Sequence, residues 1–383
     1  MRYAVDAHAV GRCQSGNEAY ARGLLNGLAG VDRESEYIAY VSVERAAAWV
    51  PRRFQVRRVS SNPFLRLGFD LARQVRRDRP ALLHVQYTAP LACPVPVVAS
   101  VHDVSFLEHP EFFPRLRAWQ LRATVQRTVQ AATRILTGSE FSRASILRAY
   151  PRLDADRVAV VPNAAWGGFR PISRSQAAAR AAGRHGLRKP FVLSVGDLQP
   201  RKNHIGLIAA FARMVHAYPQ FTHELVLAGK DTWFAPRIRE AARASGCSER
   251  IRFPGFVSDD DLLHLYNACD IFAFPSFYEG FGLPLVEAMA CGRAVACSNT
   301  SAMPEVVDGA ALLFDPRSAD DTARTMAELL LDAELRARME RLGLQRAACY
   351  SWQKTAAATL AVYRQAARPA PRVLRRAVPL SRR

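Results

Sequence analysis

The 383-residue sequence contains no long hydrophobic run, and its seven cysteines form no recognisable pair or cluster. Because no stretch of about 18 apolar residues occurs, we expect no membrane-spanning helix. Asp6 stands too early for the apolar core of a secretory signal peptide, so the N-terminus predicts a first strand instead. The cysteines show neither a Cys-x-x-Cys spacing nor a zinc-like Cys/His pattern, which predicts reduced thiols in a cytoplasmic protein.

Negative charge is also scarce, since 34 acidic residues face 53 basic ones and leave a formal charge of +19. Such an excess favours anionic partners, namely nucleotide diphosphates, acidic membrane surfaces or nucleic acid. No G-x-G-x-x-G fingerprint occurs, so NAD binding is the weakest interpretation. No cluster of histidines and carboxylates suits Mg²⁺ or Mn²⁺, and the run Asp259-Asp260-Asp261 predicts the first-turn charge of a helix. We therefore expect no metal and no other cofactor.

Residues 1–165 predict an N-terminal domain in which strands alternate with helices. The loop around Gly16 joins the first strand to a helix, which is an arrangement typical of nucleotide-binding domains. His102 follows a later apolar strand at its carboxyl end, where open α/β sheets bind ligands, although a lone histidine is more often structural. The predicted strands of this domain are 3–6, 37–43, 81–85, 97–101, 134–137 and 158–161.

A helix predicted over residues 64–79 separates apolar from basic residues. Its apolar face comprises Phe64, Leu67, Leu71 and Val75. Its basic face comprises Arg66, Arg73 and Arg77. A solvated basic surface is the simpler interpretation and is slightly favoured. A helix that lies on a membrane surface is the sharper alternative.

Residues 166–190 change in composition and predict a linker, and residues 191–350 predict a second α/β domain. Its first strand, 191–195, runs into a loop with Gly196, Arg201 and Lys202. Two cations at a turn from strand to helix suit a diphosphate, because arginine offers a planar fork and lysine a point charge. The alternative is that both are solvated loop charges.

The most informative stretch is 274–289, where Glu279 and Glu287 bracket a turn that contains Gly280 and Gly282. A strand precedes the turn, and Pro284 suits the first position of a helix, with Glu287 in its first turn. Free N–H groups and the positive end of a helix dipole bind anions and polyols at such a place. The plain alternative is a capped helix with a stabilising glutamate.

This stretch, Glu279-Gly-Phe-Gly-Leu-Pro followed by Glu287, resembles the signature of retaining glycosyltransferases of family 4. That family has the α/β GT-B architecture, in which two Rossmann-like domains with parallel sheets face each other across a cleft. The resemblance covers roughly residues 1–367 and is closest to the mannosyltransferase-B-like branch. In the family, a C-terminal helix (here 351–368) crosses back to the first domain. The tail 369–383 is rich in proline and arginine and is expected to be mobile. The other matching segments are 101–106, 110–115, 196–204, 254–267 and 298–308.

The resemblance implies a role for each matching residue. Arg201 and Lys202 would stabilise the leaving diphosphate, and Glu279 would hold the donor sugar. Glu287 would hold the ribose, and His102 would face the transferred sugar and the acceptor. The remaining implied donor-binding positions are Gly16, Gly196, Phe256, Val257, Phe281, Gly282 and Leu283.

The sequence thus predicts a retaining hexosyltransferase of bacterial surface polysaccharide synthesis that uses a nucleotide-diphosphate-sugar, with GDP-mannose as the favoured donor. The predicted acceptor is a glycan or a lipid-linked glycan, and nucleic acid is not an expected partner. We expect a cytoplasmic protein that binds peripherally to the inner face of the membrane. The reasons are its positive charge and the tail arginines 372, 375, 376, 382 and 383. Two alternatives stay open: a nucleotide-sugar 2-epimerase of the same architecture, and a basic nucleic-acid-binding protein.

Overall fold

The computed structural model describes residues 1–12 and 15–367. Within these residues the chain forms two all-parallel sheets, one of seven strands and one of six. The prediction of two α/β domains with parallel sheets is therefore confirmed. In the described ranges, no helix is both long and apolar enough to cross a membrane.

Seven strands form the N-terminal sheet. They are β1 (Arg2–Asp6), β2 (Glu36–Val41), β3 (Phe54–Arg58), β4 (Leu82–Gln86), β5 (Val97–Ser100), β6 (Arg134–Thr137) and β7 (Val158–Val160). Their spatial order is β3-β2-β1-β4-β5-β6-β7, with parallel pairing throughout. Helices cover both faces of a parallel sheet, which explains why the central strands β4 and β5 are buried along their whole length.

The helices of the N-terminal domain fill the connections between these strands. They are α1 (Ser15–Val31), α2 (Pro63–Leu65), α3 (Leu71–Asp78), α4 (Ser105–Glu108), α5 (Arg115–Ala131) and α6 (Glu140–Ala149). Ser139 caps the start of α6, because its hydroxyl accepts a hydrogen bond from the Ser142 N–H.

Six strands form the C-terminal sheet, in the spatial order β10-β9-β8-β11-β12-β13. They are β8 (Phe191–Val195), β9 (Glu224–Ala228), β10 (Ile251–Gly255), β11 (Ile271–Phe274), β12 (Ala294–Ser298) and β13 (Leu312–Phe314). The helices are α7 (Arg174–His185), α8 (His204–Ala217), α9 (Ala235–Ala244), α10 (Asp259–Ala268), α11 (Leu283–Ala290), α12 (Met303–Val307), α13 (Ala319–Leu331) and α14 (Ala333–Ala347).

The last helix, α15 (Trp352–Ala366), packs on the N-terminal domain although it follows the C-terminal one. Gly23 and Gly27 of α1 let it approach, since a Cβ at Gly23 would lie 2.0 Å from the Trp352 ring. Farther along α15, the Tyr363 hydroxyl lies 2.5 Å from Nδ1 of His84 in β4. Residue 368 and the predicted tail 369–383, with its arginines, lie outside the described residues.

The predicted helix over 64–79 is interrupted by a π-helical turn, Arg66–Asp70, between α2 and α3. A π turn inserts an extra residue, so a periodicity counted through it places residues on the wrong face. Arg66 is accordingly buried, 3.8 Å from Asp6, whereas Arg73 and Arg77 are exposed. Phe64, which the periodicity placed on the apolar face, is 76% exposed. The prediction of a continuous basic face through Arg66, Arg73 and Arg77 was therefore wrong.

The segment 166–190, predicted to be a linker, contains helix α7. Ala177 and Ala181 lie one turn apart on α7 and are buried in the C-terminal core, and α7 packs on α10. Arg180 of α7 also pairs with Asp261 of α10 at 2.9 Å. The alanine- and arginine-rich composition therefore indicates a small-residue helical interface and not a plain connection.

Candidate functional site

The carboxyl ends of β8 and β11 lie side by side where the strand order of the C-terminal sheet reverses. The chain after β8 forms one 3-10 turn, Pro200–Lys202, before α8. The chain after β11 carries Glu279 before α11. The Phe277 N–H donates to the Arg201 carbonyl at 2.9 Å and joins the two loops. Open α/β sheets bind ligands in such a crevice, which is where the sequence predicted the donor site.

Arg201, Lys202 and Glu279 form one ion-pair cluster in this crevice. A guanidinium nitrogen of Arg201 and the Lys202 ammonium each lie 2.7 Å from a different carboxylate oxygen of Glu279. All three side chains are largely buried, and Glu279 is only 8% exposed. Burial opposes ionisation, yet Arg201 and Lys202 hold the pKa of Glu279 at about 2. Glu279 therefore neutralises the two cations, and an anionic ligand that binds them has to share or displace this carboxylate.

Glycine backbones shape the floor of the same crevice. The aliphatic part of the Lys202 side chain passes over Gly196, where an added Cβ would lie 3.1 Å from it. A Cβ at Gly229, after β9, would lie 2.0 Å from the Gly196 carbonyl oxygen. The loops after β8 and β9 are thus packed backbone to backbone, which fixes the path of Lys202.

Glu287 has an environment opposite to that of Glu279. It is the fifth residue of α11, just beyond the first turn where it was predicted, because the helix starts at Leu283 with Gly282 as its cap. Its carboxylate accepts a hydrogen bond from the Tyr266 hydroxyl at 2.9 Å. Burial raises its pKa to about 7, even though the Tyr266 hydrogen bond lowers it. Near neutral pH this carboxyl group therefore exists in both protonated and ionised forms.

His102 lies just beyond β5 and is held by three side chains of the N-terminal domain. Its Nε2 lies 3.1 Å from the amide oxygen of Gln86, the last residue of β4. The rings of Tyr20 and Tyr87 meet the imidazole edge to face, with centroids at 4.5 and 5.4 Å. Burial lowers the His102 pKa to about 4. The imidazole is therefore neutral at pH 7, and a proton on Nε2, donated to Gln86, leaves Nδ1 as a hydrogen-bond acceptor.

The two domains meet directly at these motifs. A Cβ at Gly280 would lie 2.0 Å from the His102 carbonyl oxygen, so no larger residue fits where this segment of the C-terminal domain meets the N-terminal domain. The hydroxyls of Ser139 and Ser142, at the start of α6, both donate to the Gly280 carbonyl, at 2.7 and 3.0 Å. The carboxyl ends of the two sheets thus face each other, and His102 lies against the stretch that follows Glu279.

Other contacts across the cleft lie on either side of this point. The Glu305 carboxylate, on α12, accepts from the N–H groups of Glu140 and Phe141 at 2.8 and 3.0 Å. The Tyr278 hydroxyl donates to Glu108 at 2.8 Å. The sequence motifs at 298–308 and 279–287 therefore bind the N-terminal domain as well as flanking the crevice.

Three residues around the crevice have strained backbones. Tyr87, Asn203 and Ser301 have φ values of 56°, 52° and 54°, a region that non-glycine residues seldom occupy. Asn203 uses this conformation to cap α8, and the Ser301 hydroxyl accepts from the Glu279 N–H at 3.0 Å. Strain of this kind concentrates at functional sites, because the surrounding structure has to hold it in place.

The remaining predicted donor-binding residues differ in their accessibility. Phe256 is 53% exposed after β10, and Val257 is half-buried beside it. Phe281 is only 6% exposed, because its ring packs on Tyr350 at 5.4 Å, so its backbone alone can reach a ligand. Gly282, with a φ of 91°, and the half-buried Leu283 open α11. Gly16 is exposed in the first turn of α1, and a Cβ added there would have no atom within 4 Å.

The sequence reasoning missed Gln86, Tyr20, Asp103 and Ser301. Asp103 accepts from the N–H and hydroxyl of Ser105 at 2.9 and 2.6 Å and so fixes the chain after His102. The spacing Asp103-x-Ser105 is typical of such a turn and was visible in the sequence. Gln86 was also detectable in principle, because it ends a buried strand just as His102 follows one. The contact of Tyr20 with His102 had no local signal.

No group of three or more metal-ligating side chains occurs within residues 1–12 and 15–367. Two Asp-x-Asp spacings occur in the sequence, 154–156 and 259–261. Asp154 accepts a hydrogen bond from the Asp156 N–H and caps a 3-10 turn. Asp259 pairs with Arg22 at 2.7 Å, and Asp261 pairs with Arg180. The acidic run at the start of α10 therefore serves ion pairs between helices.

Two parallel sheets whose carboxyl ends meet across a cleft, with paired cations and glutamates at the switch point, define a GT-B glycosyltransferase. Family models match both halves of the chain: "Glycosyltransferase Family 4" over residues 16–165 and "Glycosyl transferases group 1" over residues 175–346. An O-antigen chain mannosyltransferase B of Escherichia coli is 32% identical over 267 residues, which is 70% of each chain. The chain therefore belongs to glycosyltransferase family 4.

Solved structures support the fold at lower sequence identity. HepE of Anabaena, in complex with UDP and glucose, has a TM-score of 0.76 at 19% identity and covers 95% of this chain and 100% of its own. WaaG, a glycosyltransferase involved in lipopolysaccharide biosynthesis, has a TM-score of 0.74 at 15% identity, with 95% and 99% covered. The prediction of the GT-B architecture is confirmed.

Proposed function

We propose that this glycosyltransferase moves a mannosyl residue from GDP-mannose to a glycan acceptor with retention of the anomeric configuration. The observation that carries the proposal is the buried cluster of Arg201 and Lys202 with Glu279 at the switch point. The mannose assignment draws on the similarity to an O-antigen chain mannosyltransferase B of Escherichia coli. That relative and the resemblance in the motifs support the donor and the stereochemistry.

The cluster suits a reaction in which a nucleoside diphosphate leaves. As the glycosidic bond breaks, negative charge grows on the diphosphate, and Arg201 and Lys202 can stabilise it from fixed positions in a poorly hydrated crevice. Glu279 is then free to accept hydrogen bonds from donor sugar hydroxyls. We propose that these two cations, with no metal ion, neutralise the leaving group.

The other residues act on hydroxyl groups. His102, neutral and with Nδ1 as an acceptor, can receive a hydrogen bond from a sugar hydroxyl at the reaction centre. Glu287, at the far end of the turn, can bind the ribose diol through its carboxyl group. Phe256 and Val257 would flank the base.

The test is a turnover assay with purified enzyme, GDP-mannose and UDP-glucose in parallel, followed by NMR of the product linkage. We expect faster turnover of GDP-mannose, full activity in EDTA and an α-anomer from the α-configured donor. An inverted anomeric centre would refute retention. A requirement for divalent metal would refute the metal-free mechanism, and release of free GDP with an epimerised sugar would favour the epimerase.

We further propose that the enzyme binds anionic membrane surfaces through the N-terminal domain. Six apolar side chains are 61–79% exposed there: Phe64, Leu65, Phe69, Leu91, Leu116 and Trp119. They lie on adjacent segments, since the Leu91 N–H donates to the Leu67 carbonyl and Arg127 of α5 donates to the Pro90 carbonyl. Exposed Arg73 and Arg77 follow on α3. Apolar side chains beside arginines are typical of a surface that enters the headgroup layer.

Vesicle co-sedimentation tests this surface. We expect binding to vesicles with phosphatidylglycerol, weaker binding at high salt because the Debye length shortens, and loss in Phe64→Ser/Phe69→Ser. Leu331→Ser, which changes an exposed leucine of the C-terminal domain, is the matched control. Equal binding of the wild type, the Phe64→Ser/Phe69→Ser double variant and the Leu331→Ser control would contradict the proposal.

A further inference from the structure

Four buried polar side chains form an unbroken chain of hydrogen bonds that begins on α15. The Tyr363 hydroxyl lies 2.5 Å from Nδ1 of His84, and Nε2 of His84 lies 2.7 Å from the Ser100 hydroxyl. The Ser100 hydroxyl in turn lies 2.7 Å from the Tyr20 hydroxyl. All four residues are at most 4% exposed. The chain therefore crosses the core of the N-terminal domain from α15, through β4 and β5, to α1.

The last ring of this chain lies directly against the imidazole of His102. The ring centroids of Tyr20 and His102 are 4.5 Å apart, and the ring planes meet at 71°. The Tyr20 hydroxyl is held by Ser100, the last residue of β5, which stands two positions before His102. Tyr20 is therefore anchored to the same strand that carries the histidine. Because its ring contacts the imidazole, the orientation of His102 depends on that anchor.

The protonation of His84 gives this chain a direction. Burial lowers the His84 pKa to about 3, so the imidazole is neutral and one ring nitrogen donates while the other accepts. A phenol is a stronger acid than a serine hydroxyl and hence the better donor. Tyr363 therefore donates to Nδ1, and the proton of His84 sits on Nε2 and is donated to Ser100. In this arrangement a side chain of α15 fixes the tautomer of His84.

Packing alone does not require these hydroxyl groups. Hydrogen-bonded partners in a core can often be replaced by apolar groups of the same shape at little cost, whereas a buried polar group that loses its partner is destabilising. The ring of Trp352, the first residue of α15, already contacts the Tyr20 ring at 5.9 Å. Tyr20 is thus held by α15 twice, once through this ring and once through its hydroxyl and the hydrogen-bonded chain.

We propose that Tyr20 and Tyr363 are positioning residues for His102, and that the hydrogen-bonded chain between them fixes the imidazole for sugar transfer. The inference rests on the proposed transferase function, in which His102 accepts a hydrogen bond from a sugar hydroxyl. Because both tyrosines are buried, they act through the imidazole and not on the substrate. Their hydroxyls therefore contribute to the transfer step and leave donor binding unaffected.

Variants that remove one hydroxyl and keep the ring test the proposal. Tyr20→Phe should lower kcat about tenfold, less than the ~10²-fold cost of a 1 Å misplacement, because the ring still lies against His102. Tyr363→Phe leaves Nδ1 of His84 without a donor and acts at a greater distance, so it should lower kcat about threefold. Both should leave the KM for GDP-mannose unchanged, because the ion-pair cluster of the C-terminal domain is not altered.

The matched control is Tyr40→Phe. It also removes one buried tyrosine hydroxyl, which is bonded to Asp78 at 3.0 Å, but its ring belongs to the core on the other face of the sheet. This variant should lower the melting temperature and leave kcat unchanged. If Tyr20→Phe and Tyr363→Phe behaved in the same way, the chain would serve only to dock α15, and the proposal would be overturned.

A double-mutant cycle with His102→Ala separates positioning from a general loss of packing. If the hydroxyls act through the imidazole, adding Tyr20→Phe should not lower the residual rate of His102→Ala any further. A loss of packing would instead lower the rate by the same factor in both backgrounds, and that result would overturn the proposal.

A readout that needs no turnover is ¹⁵N NMR of the His102 imidazole, with His102→Ala to assign its resonances. Tyr20→Phe and Tyr363→Phe should shift them, and Tyr40→Phe should not. Unshifted resonances in Tyr20→Phe would overturn the proposal. If the wild type turned over no sugar nucleotide while the resonances shifted as expected, the transferase function would fail and the control of His102 by this chain would stand.

Discussion

The two faces of the cleft differ in charge: the C-terminal face is lined by ionised side chains, and the N-terminal face by a neutral histidine. The C-terminal face holds three charged side chains, Arg201, Lys202 and Glu279, in contact with one another. The N-terminal face presents His102, which burial keeps neutral, between Gln86 and two tyrosine rings. The difference indicates a division of labour. One face stabilises the charge that develops on the diphosphate, and the other positions uncharged hydroxyl groups.

The largest effect should come from Lys202→Ala. Removing one fixed donor from a developing anion costs about 10²–10³-fold in kcat in comparable sites. We expect at least this loss in kcat/KM for donor, measured with GDP-mannose. Lys189→Ala removes a lysine from an exposed position before β8 and should leave the rate unchanged. If Lys202→Ala kept near-wild-type transfer, the charged face would not be the leaving-group site.

Gly280→Ala should separate the two faces without changing any charge. The new methyl group would meet the His102 carbonyl at 2.0 Å, and backbone on both sides cannot yield easily. We expect about a 100-fold loss of kcat, because a 1 Å misplacement of reacting groups has this effect. We also expect a lower melting temperature, because the domains move apart and lose the hydrogen bonds from Ser139 and Ser142 to the Gly280 carbonyl. Small-angle scattering should show a more open molecule.

The control for this variant is Gly30→Ala, also a glycine-to-alanine change but with no atom within 4 Å of the new Cβ. It lies in α1, where alanine should raise stability slightly. Equal activity of Gly280→Ala and Gly30→Ala would show that closure against His102 is not required.

Gln86→Leu tests how the neutral face is organised. Without the amide oxygen, the proton of His102 is no longer held on Nε2, and Nδ1 ceases to be a reliable acceptor. We expect about a tenfold lower kcat and an unchanged donor KM, because the diphosphate contacts stay intact. Gln86→Glu should raise the His102 pKa and introduce a new ionisation into the pH profile. ¹⁵N NMR of the imidazole reports the tautomer directly, and an unaltered tautomer in Gln86→Leu would contradict this arrangement.

The last comparison concerns the pH dependence of stability, where the two glutamates differ. Burial raises the Glu287 pKa from 4.5 to about 7, so its protonated form favours the fold below pH 4.5. This contribution is lost as the pH rises to 7. Glu279 has a pKa lowered to about 2 by Arg201 and Lys202, against burial, so it stabilises above pH 4.5 and loses this as the pH falls to 2.

Denaturant titrations from pH 4 to 8 measure the Glu287 contribution. Between pH 4.5 and 7, the unfolding free energy of the wild type should decline, and Glu287 should account for on the order of 3 kcal/mol of that decline. Glu287→Gln should remove this contribution. Tyr266→Phe should raise the Glu287 pKa further, because the hydrogen bond from its hydroxyl lowers it. A Glu287→Gln profile parallel to wild type would show that Glu287 does not titrate in this range.

Much of the charged face could be predicted from the sequence because it is built from local units. Strand, turn and helix follow each other within about ten residues at Arg201/Lys202 and at Glu279, and each apolar strand is recognisable by itself. The two units come together because a reversal of strand order places the ends of β8 and β11 side by side. Alternating strands and helices likewise determined the two parallel sheets.

Tertiary structure alone decided the other features. A π turn put Arg66 inside, against a periodicity that assumed a regular helix. Tyr20, Gln86 and Tyr87 meet His102 from α1, from the end of β4 and from the loop that follows it. Contacts at such sequence separations leave no periodic signal. The two glutamates look alike in the sequence, yet their pKa values move in opposite directions. Glu279 forms ion pairs with two cations, whereas at Glu287 burial outweighs the hydrogen bond from Tyr266.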